Sequence, residues 1–410
     1  MSFKKYISFV VILCLLFLSA CGQQSVQPDI SKDVPSDKEN DKEPVAPVEP
    51  AISEEPINLG IPTEEWYSHN LLARCVWDMT IHDNKLYVGC GDYVQNTGGV
   101  PVMYCALDDL GNWQREGALL DEQLSRFLIL DDKLTVPGWD PKDTPEYCPY
   151  YQLENGKWQT YSVLPDGLHN FDLVRYDGKL FAGIGANKGE TPIVMSENGI
   201  DFERVPMLRN GVPVDTSEGE MIRTYNLWVL NDTLYADFHY DNMVTNKWIV
   251  EVYRYENGKF IWCVGLGKKL NMVAMGSQNL GKPWADAVVD DTLFLTTGWL
   301  YKTTDMVEYT QVRFPNYAQT YDIYSYKDAM YLLTASQEIT DPDTGEAVYH
   351  ITVYSATTTN PDDFKVEYTV DSAVQPIALA VSDDGYFVSF GNWYSSTEEQ
   401  NGTVIYYPKK

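Results

Sequence analysis

Short hydrophobic runs alternate with polar turns along most of the chain, and this pattern predicts β-strands. The recurring unit is a hydrophobic run, a turn built on Asp or Asn, and a hydrophobic anchor residue that begins a second run. Short turns of this kind between two β-rich runs are a strong hairpin signal. The spacing of about fifty residues is typical of a repeat protein. The anchors are Leu86, Leu134, Leu180, Leu234, Leu293, Met330 and Tyr386.

Each predicted hairpin is followed by a third hydrophobic run, a second turn and an aromatic residue, for example Trp113, Trp158 or Phe260. Each unit therefore supplies four antiparallel strands, which is the size of one blade of a β-propeller. The recurrence predicts an all-β fold, a seven-bladed β-propeller of four-stranded antiparallel blades.

Ring closure is the second part of this prediction. The last unit, Gln375–Lys410, contains only three predicted strands, so the fourth must come from elsewhere in the chain. We expect Trp66–Leu72 to supply it, because Trp66 precedes Leu86 by 20 residues, close to the 21 and 22 residues that separate Trp113 and Trp158 from their anchors. The last blade would then be closed by the N-terminal strand, which removes free sheet edges.

The first residues have the pattern of an export signal. Lys4 and Lys5 precede an apolar run, Ile7–Leu18, that is too short for a permanent membrane span, and small residues precede Cys21. The segment resembles a bacterial lipoprotein signal with its lipobox. The resemblance implies that Cys21 is lipidated and anchors the protein to the cell membrane on its extracytoplasmic side. An ordinary secretory signal with an incidental cysteine is the alternative.

Three segments follow from these patterns. Residues 1–21 are the signal and lipobox, and residues 64–410 are the propeller. Between them, residues 22–63 hold no aromatic residue and many prolines and acidic side chains. Such a composition buries too little apolar surface to fold, so we expect a disordered acidic tether.

One turn carries a resemblance at the level of the fold. Ser196–Phe202 resembles a degenerate Asp-box, the Ser-x-Asp-x-Gly-x-x-Trp turn of sialidase-like propellers, and Thr303–Asp305 is a weaker copy. In that family these turns are structural and lie far from the active site. The Arg-Ile-Pro signature of sialidases does not occur in this sequence, so the resemblance implies the architecture and not the activity.

The charge balance excludes one class of partner and offers little for metals. The chain has 59 acidic and 30 basic residues and a net charge of −29, which would repel nucleic acid. Its five histidines lack zinc-site spacings, so we expect no metal or other cofactor. The run Asp341–Glu346 has oxygen ligands suited to Ca²⁺, and a plain hairpin tip is the alternative.

Candidate ligand residues lie on one predicted rim of the ring. Polar residues recur eight positions before most anchors, where Ala285 and Ala378 are the exceptions. They would either bond the backbone of the next blade or line a channel mouth that binds a cation or a polyhydroxylated ligand. These residues are Asp78, Arg126, Asp172, Asn226 and Asp322.

Aromatic and basic residues are expected on the same rim. Rings such as Phe171 and Tyr225 either pack between blades or offer a platform for a sugar. Two connections, around Arg209–Gly219 and Val264–Gly281, are longer than the others and are candidate binding loops. The remaining candidate rim residues are His169, Arg223, Trp139, His239, Trp284, Trp299 and Trp393.

Three functional hypotheses follow. The first is a lipid-anchored, monomeric propeller that binds a ligand or partner, such as a glycan, at this rim without chemistry. The second is a glycan-active hydrolase or lyase that uses carboxylates such as Asp172 and Asp322. The third is a structural component of an envelope assembly. No catalytic motif decides between them, so whether the protein is an enzyme stays open.

Overall fold

The computed structural model describes residues 55–92, 98–139, 148–164, 167–219, 221–242, 247–266, 285–341, 346–392 and 398–409. The chain is an all-β propeller built from four-stranded antiparallel blades. Within these residues, no helix has the length and apolar character needed to cross a membrane. Two short 3-10 helices, Leu72–Arg74 and Pro315–Tyr317, interrupt the strands.

Five blades are separate four-stranded sheets. One of them unites the N-terminal strand β1 (Ile57–Asn58) with three strands from the C-terminal end of the chain. In the first two of the other sheets, consecutive strands pair. One contains β2 (Asp78–His82), β3 (Lys85–Gly89), β4 (Val100–Ala106) and β5 (Gln114–Leu119). The other contains β6 (Leu128–Leu130), β7 (Lys133–Pro137), β8 (Cys148–Glu154) and β9 (Lys157–Leu164).

The middle of the chain forms one larger sheet of eleven strands. Within it, the first four strands pair consecutively, and so do the last four. The strands are β10 (Leu168–Tyr176), β11 (Lys179–Gly185), β12 (Ile193–Ser196), β13 (Phe202–Arg204), β14 (Met207–Arg209), β15 (Val212–Pro213), β16 (Met221–Arg223), β17 (Leu227–Leu230), β18 (Thr233–Asn242), β19 (Lys247–Glu256) and β20 (Lys259–Gly265).

The remaining strands complete the separate sheets. Each of the next two blades is again a run of four consecutive strands, and the last three strands join β1. They are β21 (Asp286–Val289), β22 (Thr292–Thr296), β23 (Leu300–Thr303) and β24 (Thr310–Val312), then β25 (Gln319–Tyr326), β26 (Ala329–Asp341), β27 (Glu346–Thr357) and β28 (Asn360–Ser372), then β29 (Pro376–Val381), β30 (Gly385–Phe390) and β31 (Thr403–Pro408).

The hairpin between the first two strands of each repeat forms for a local reason. Asp83 and Asn84 both have positive φ, as do Asp290 and Asp291, and Asp and Asn tolerate this conformation better than most residues. Turns with two positive φ angles match the twist of the flanking strands. All seven anchor residues are buried, so the repeat read from the sequence corresponds to the core of the blades.

The Asp-box-like turns have the bonding that their sequence suggests. The Ser196 hydroxyl accepts the backbone N–H of Gly199 at 2.9 Å, and Asn198 Oδ1 accepts those of Ile200 and Asp201 at 2.9 and 2.8 Å. In the second turn, Asp305 Oδ1 accepts two backbone N–H groups in the same way. Both turns are therefore local structural devices.

The predicted closing strand was wrong in position. Residues 62–69 form turns and Leu72–Arg74 form a 3-10 helix, whereas Ile57–Asn58, in the predicted tether, pairs with Tyr406 and Ile405 of β31. The pairing continues through the next residue, because Leu59 N donates to the Val404 carbonyl oxygen at 2.9 Å. The connection from β1 to β2 is longer than most of the other connections between blades, so the spacing of Trp66 did not transfer.

The long connection that includes Arg209–Gly219 does not lie wholly on the rim. Its first half forms the hairpin β14–β15, and β14 extends the outer edge of β20 in a parallel pair. Its second half leads into β16, which pairs with both β11 and β18 and thereby joins the two halves of the eleven-stranded sheet. The second long connection, Val264–Gly281, lies outside the described residues after Leu266.

Candidate functional site

Three predicted rim aspartates bond the backbone of the next blade. Asp78 Oδ2 accepts the backbone N–H of Phe127 at 2.6 Å, at the start of the next blade. Asp172 Oδ2 accepts that of Leu227, and Asp322 Oδ2 accepts that of Leu379, both at 2.8 Å. The repeated bond therefore ties three of the inner strands to the blade that follows them around the ring.

The second oxygen of two of these carboxylates is also engaged. Asp172 Oδ1 accepts the N–H of Leu173 at 2.9 Å, and Asp322 Oδ1 accepts that of Ile323 at 3.0 Å. Both side chains are buried. This bonding suits a structural role better than proton transfer to a ligand.

Arg126 lies among carboxylates at the same level of the ring. Its Nη1 is 3.4 Å from Asp172 Oδ2, and its Nη2 is 3.2 Å from Asp286 Oδ2. Burial lowers the pKa of Arg126, but Asp172, Asp286 and Asp78 together raise it above its ordinary value. Burial also raises the pKa of Asp172 to about 7, although Arg126 acts in the opposite direction.

Asp286 is a residue that the sequence pattern missed. The repeat placed Ala285 at this level, yet the neighbouring Asp286 contacts Arg126 and accepts the Trp228 indole N–H at 3.0 Å. A cavity of about 430 Å³ is lined in part by Asp78, Arg126, Asp286 and Asp322. Arg126 and the carboxylates around it therefore interact mainly with one another and with backbone N–H groups of the protein.

A second group of predicted rim residues forms a compact cluster. We call Trp139, His169, Phe171, Arg223, Tyr225 and His239 the rim cluster. Trp139 follows β7, His169 and Phe171 lie on β10, Arg223 ends β16, and His239 lies on β18. The ends of strands from adjoining blades thus bring together residues that are up to a hundred positions apart in the chain.

Aromatic rings hold the rim cluster together. Phe171 is at the centre, with ring centroids 4.4 Å from Tyr225, 5.3 Å from Trp139 and 5.4 Å from His169. The Tyr225 ring meets His239 edge-on at 4.8 Å. Trp139, Phe171 and Tyr225 are buried, so they form a packed floor and not an exposed platform.

Arg223 lies over this floor. Its guanidinium carbon is 5.5 Å from the Phe171 centroid and 5.8 Å from that of Tyr225, within the range of cation–π contacts. Nη1 donates to the Tyr225 hydroxyl at 2.8 Å. Among the described residues, no carboxylate lies within ion-pair distance of Arg223.

His169 lies beside Arg223 in an unusual backbone conformation, with φ of 60°. Its Nδ1 makes a short contact with the carbonyl oxygen of Trp139. A carbonyl oxygen can only accept, so Nδ1 carries the hydrogen and Nε2 of the neutral ring has a lone pair. Burial, and then the charge of Arg223, lower the pKa of His169 to about 4, so the ring is neutral at pH 7.

Asp237 supports the cluster from β18 and was not predicted. Its Oδ1 accepts the backbone N–H groups of Tyr225 and Asn226 at 2.7 and 3.1 Å. Its Oδ2 accepts the Asn226 side-chain N–H at 2.7 Å and lies 3.0 Å from His239 Nε2. Asn226 therefore fixes Asp237. The sequence signal was the Asp-x-His pattern at residues 237–239 on a predicted strand.

The other predicted rim residues lie elsewhere. Trp299 packs, partly buried, against the hydrophobic core that contains Trp228 and Leu293. Trp284, Trp393 and the lipidation candidate Cys21 lie outside the described residues. Only part of the predicted rim therefore comes together as one site.

Metal and thiol chemistry find little support in the part of the chain that the structure describes. There, no group of three or more His, Cys, Asp or Glu side chains is arranged to hold a metal ion. Asp341 and Glu346 are cross-strand partners in the β26–β27 hairpin, and the residues between them lie outside the described ranges. Cys75, Cys90, Cys105 and Cys263 are free thiols, and burial raises the pKa of Cys105 to about 11, which disfavours its thiolate.

The comparisons with known proteins concern the fold. No protein-family model matches the chain, and no curated protein matches it. Among solved structures, it is similar to the polysaccharide lyase Uly1, with a TM-score of 0.44 and 10% identity over 83% of this chain and 90% of that chain. It is also similar to the β-propeller domain of the Trilobed protease from Pyrococcus furiosus, with a TM-score of 0.42 and 8% identity over 82% and 94%. BamB from Moraxella catarrhalis gives a TM-score of 0.37 and 12% identity over 81% and 85%.

Proposed function

We propose that the protein is a lipid-anchored, extracytoplasmic, seven-bladed β-propeller that binds a glycan at the rim cluster without chemistry. The blade count adds the two four-stranded runs of the eleven-stranded sheet, β10–β13 and β17–β20, to the five separate sheets. The Asp-box-like turns resemble those of sialidase-like propellers, which supports a ring of that type.

The observation that carries the binding proposal is the rim cluster. Two polar side chains, His169 and Arg223, are partly exposed above a buried aromatic floor. Small-molecule sites combine apolar walls with a few polar groups in this way. By contrast, the carboxylates around Arg126 are engaged with backbone groups or with Arg126 itself. In the rim cluster, Arg223 has no carboxylate within ion-pair distance among the described residues, so its remaining N–H donors are available to a ligand.

A binding screen tests the proposal. The full chain with Cys21→Ser, which would be soluble, is applied to an array of neutral and acidic glycans. Trp139→Ala removes part of the aromatic floor and should abolish binding, whereas Trp66→Ala changes an exposed tryptophan outside the cluster and should not. If no glycan binds, or if both variants bind like the parent, the rim cluster is not a glycan site.

A glycan-active enzyme is the second candidate, and one observation favours it. His169 is a neutral base beside a cationic Arg223, which is a suitable pair for removing a proton next to a bound anionic group. The sequence predicted Asp172 and Asp322 as the catalytic carboxylates of such an enzyme. The hydrogen bonds that both carboxylates accept from backbone N–H groups disfavour this role. Incubating each bound glycan with the protein and analysing chain length by chromatography separates the two: shorter products show an enzyme.

The anchor is proposed from the sequence of residues 1–21. Cys21→Ser should release the protein from the membrane fraction into the medium or the periplasm, because the lipid is attached to that side chain. Fractionation and immunoblotting with the unchanged protein as control measure this. A variant that stays in the membrane fraction would contradict the anchor.

A further inference from the structure

We propose that the ligand of the rim cluster is an acidic sugar whose carboxylate binds Arg223. This inference rests on the proposed glycan-binding function and specifies its ligand class.

Among the described residues, Arg223 has no carboxylate partner, unlike most arginines of this protein. Among the described residues, five other arginines are ion-paired with carboxylates: Arg126, Arg175, Arg204, Arg209 and Arg254. The buried Arg74 also has no carboxylate partner among the described residues, but its Nε donates to the Tyr67 carbonyl oxygen at 3.0 Å. In a chain with twice as many acidic as basic residues, Arg223 is the partly buried arginine for which the described residues provide no carboxylate. Removing such a cation from water costs free energy unless a counter-ion compensates it.

The surroundings of Arg223 fix its orientation and leave donors available. One nitrogen donates to the Tyr225 hydroxyl, and two rings lie under the guanidinium plane. A guanidinium has five N–H donors in a planar fork, which suits a carboxylate that accepts two of them. The packing therefore holds the fork in place before any ligand binds.

Neighbouring atoms complement the rest of a sugar acid. The lone pair on Nε2 of neutral His169 can accept a hydroxyl hydrogen. The buried indole Nε1 of Trp139 has no hydrogen-bond acceptor in the described part of the chain. A ligand with hydroxyl groups and a carboxylate would satisfy the kinds of bonding that the cluster leaves open.

The proposal is tested with two probes that differ only at the carboxylate: an oligogalacturonate and its methyl ester. Isothermal titration of the full chain with Cys21→Ser should give at least about tenfold tighter binding of the acid form. Arg223→Gln should remove this preference, and Arg223→Lys should keep part of it. Thermal melting of each variant shows whether it is folded.

Arg115→Gln is the matched control. Arg115 is exposed, lies 4.8 Å from the Trp66 ring and lacks a carboxylate partner among the described residues, so its removal changes the net charge equally. It should leave the preference unchanged. If Arg115→Gln weakens binding as much as Arg223→Gln, the preference arises from the overall charge and the proposal is wrong.

The remaining outcomes separate the two proposals. Equal affinity for the acid and the methyl ester, unchanged by Arg223→Gln, overturns the carboxylate assignment and leaves glycan binding standing. Binding of a sulfated neutral oligosaccharide but not of the acid form also overturns it. If neither probe nor any other glycan binds, the proposed function itself fails, and this inference fails with it.

Discussion

Replacing Leu59 tests how the ring closes. Leu59 follows β1 and has 5% of its surface exposed. Its side chain lies in the hydrophobic core that also contains Trp77, Leu86 and Tyr406. Its backbone N–H and C=O bond to Val404 and to the Trp113 indole, at 2.9 and 2.7 Å. The residue thus joins the first blade to the blade that contains β1 and the last three strands.

The expected cost follows from the burial. Leu→Ala at a buried position removes apolar contacts and leaves a cavity, which costs about 2–5 kcal/mol in comparable cases. We expect about 3 kcal/mol for Leu59→Ala, since the side chain is almost fully buried at the junction of two blades. Ile57→Ala, two residues earlier, should cost less than about 1 kcal/mol because that side chain is 45% exposed.

Guanidinium denaturation followed by tryptophan fluorescence measures the difference. The full chain with Cys21→Ser is the parent, and both variants are made in it. The midpoint should fall for Leu59→Ala with the slope unchanged. A Leu59 variant that unfolds at the same midpoint as the Ile57 variant would refute closure through this segment.

Three further predictions concern the carboxylates and the histidine. Asp322→Ala should destabilise the fold by about 2–5 kcal/mol in chemical denaturation, because two buried backbone N–H groups lose their acceptor, whereas Asp322→Asn retains one acceptor and should cost less. Burial raises the pKa of Asp172 to about 7 in the folded protein, so between about pH 4 and 7 the folded state binds a proton that the unfolded state does not. The contribution of Asp172 to stability should therefore fall as the pH rises from about 4 to 7. Asp172→Asn should remove this pH dependence from melting temperatures measured across that range. If an acidic sugar binds Arg223, the negative charge of the sugar should raise the pKa of His169 from about 4. The affinity measured by titration calorimetry should then increase as the pH falls towards about 4. An equal pH dependence in His169→Gln would contradict this.

The blades were predictable because their signals are local. Asp–Asn and Asp–Asp turns with positive φ form hairpins by themselves, and the anchor after each turn is buried in every blade. The polar positions before the anchors were also visible. Their bonds to the next blade, such as Asp78 to Phe127, follow from the repeat once neighbouring inner strands are placed side by side.

The closing strand and part of the site could not be predicted, for different physical reasons. Ile57 and Asn58 are both exposed, so they show none of the alternation that marks a half-buried strand. Trp66 has the spacing of an outer-strand aromatic but is 44% exposed and lies against Arg115. The place of Arg223 depends on β16, a three-residue strand whose partners are distant in sequence.

The pairing of β1 with β31 also has a consequence for how the protein is made. A ribosome synthesises Ile57–Asn58 among the first residues of the domain and Tyr406 almost at the end. The strand β1 therefore stays unpaired until almost the whole chain has been synthesised. Unpaired strands are prone to aggregate. Completion of the ring is a late event, so a chain truncated before β31 would leave β1 without its partner strand.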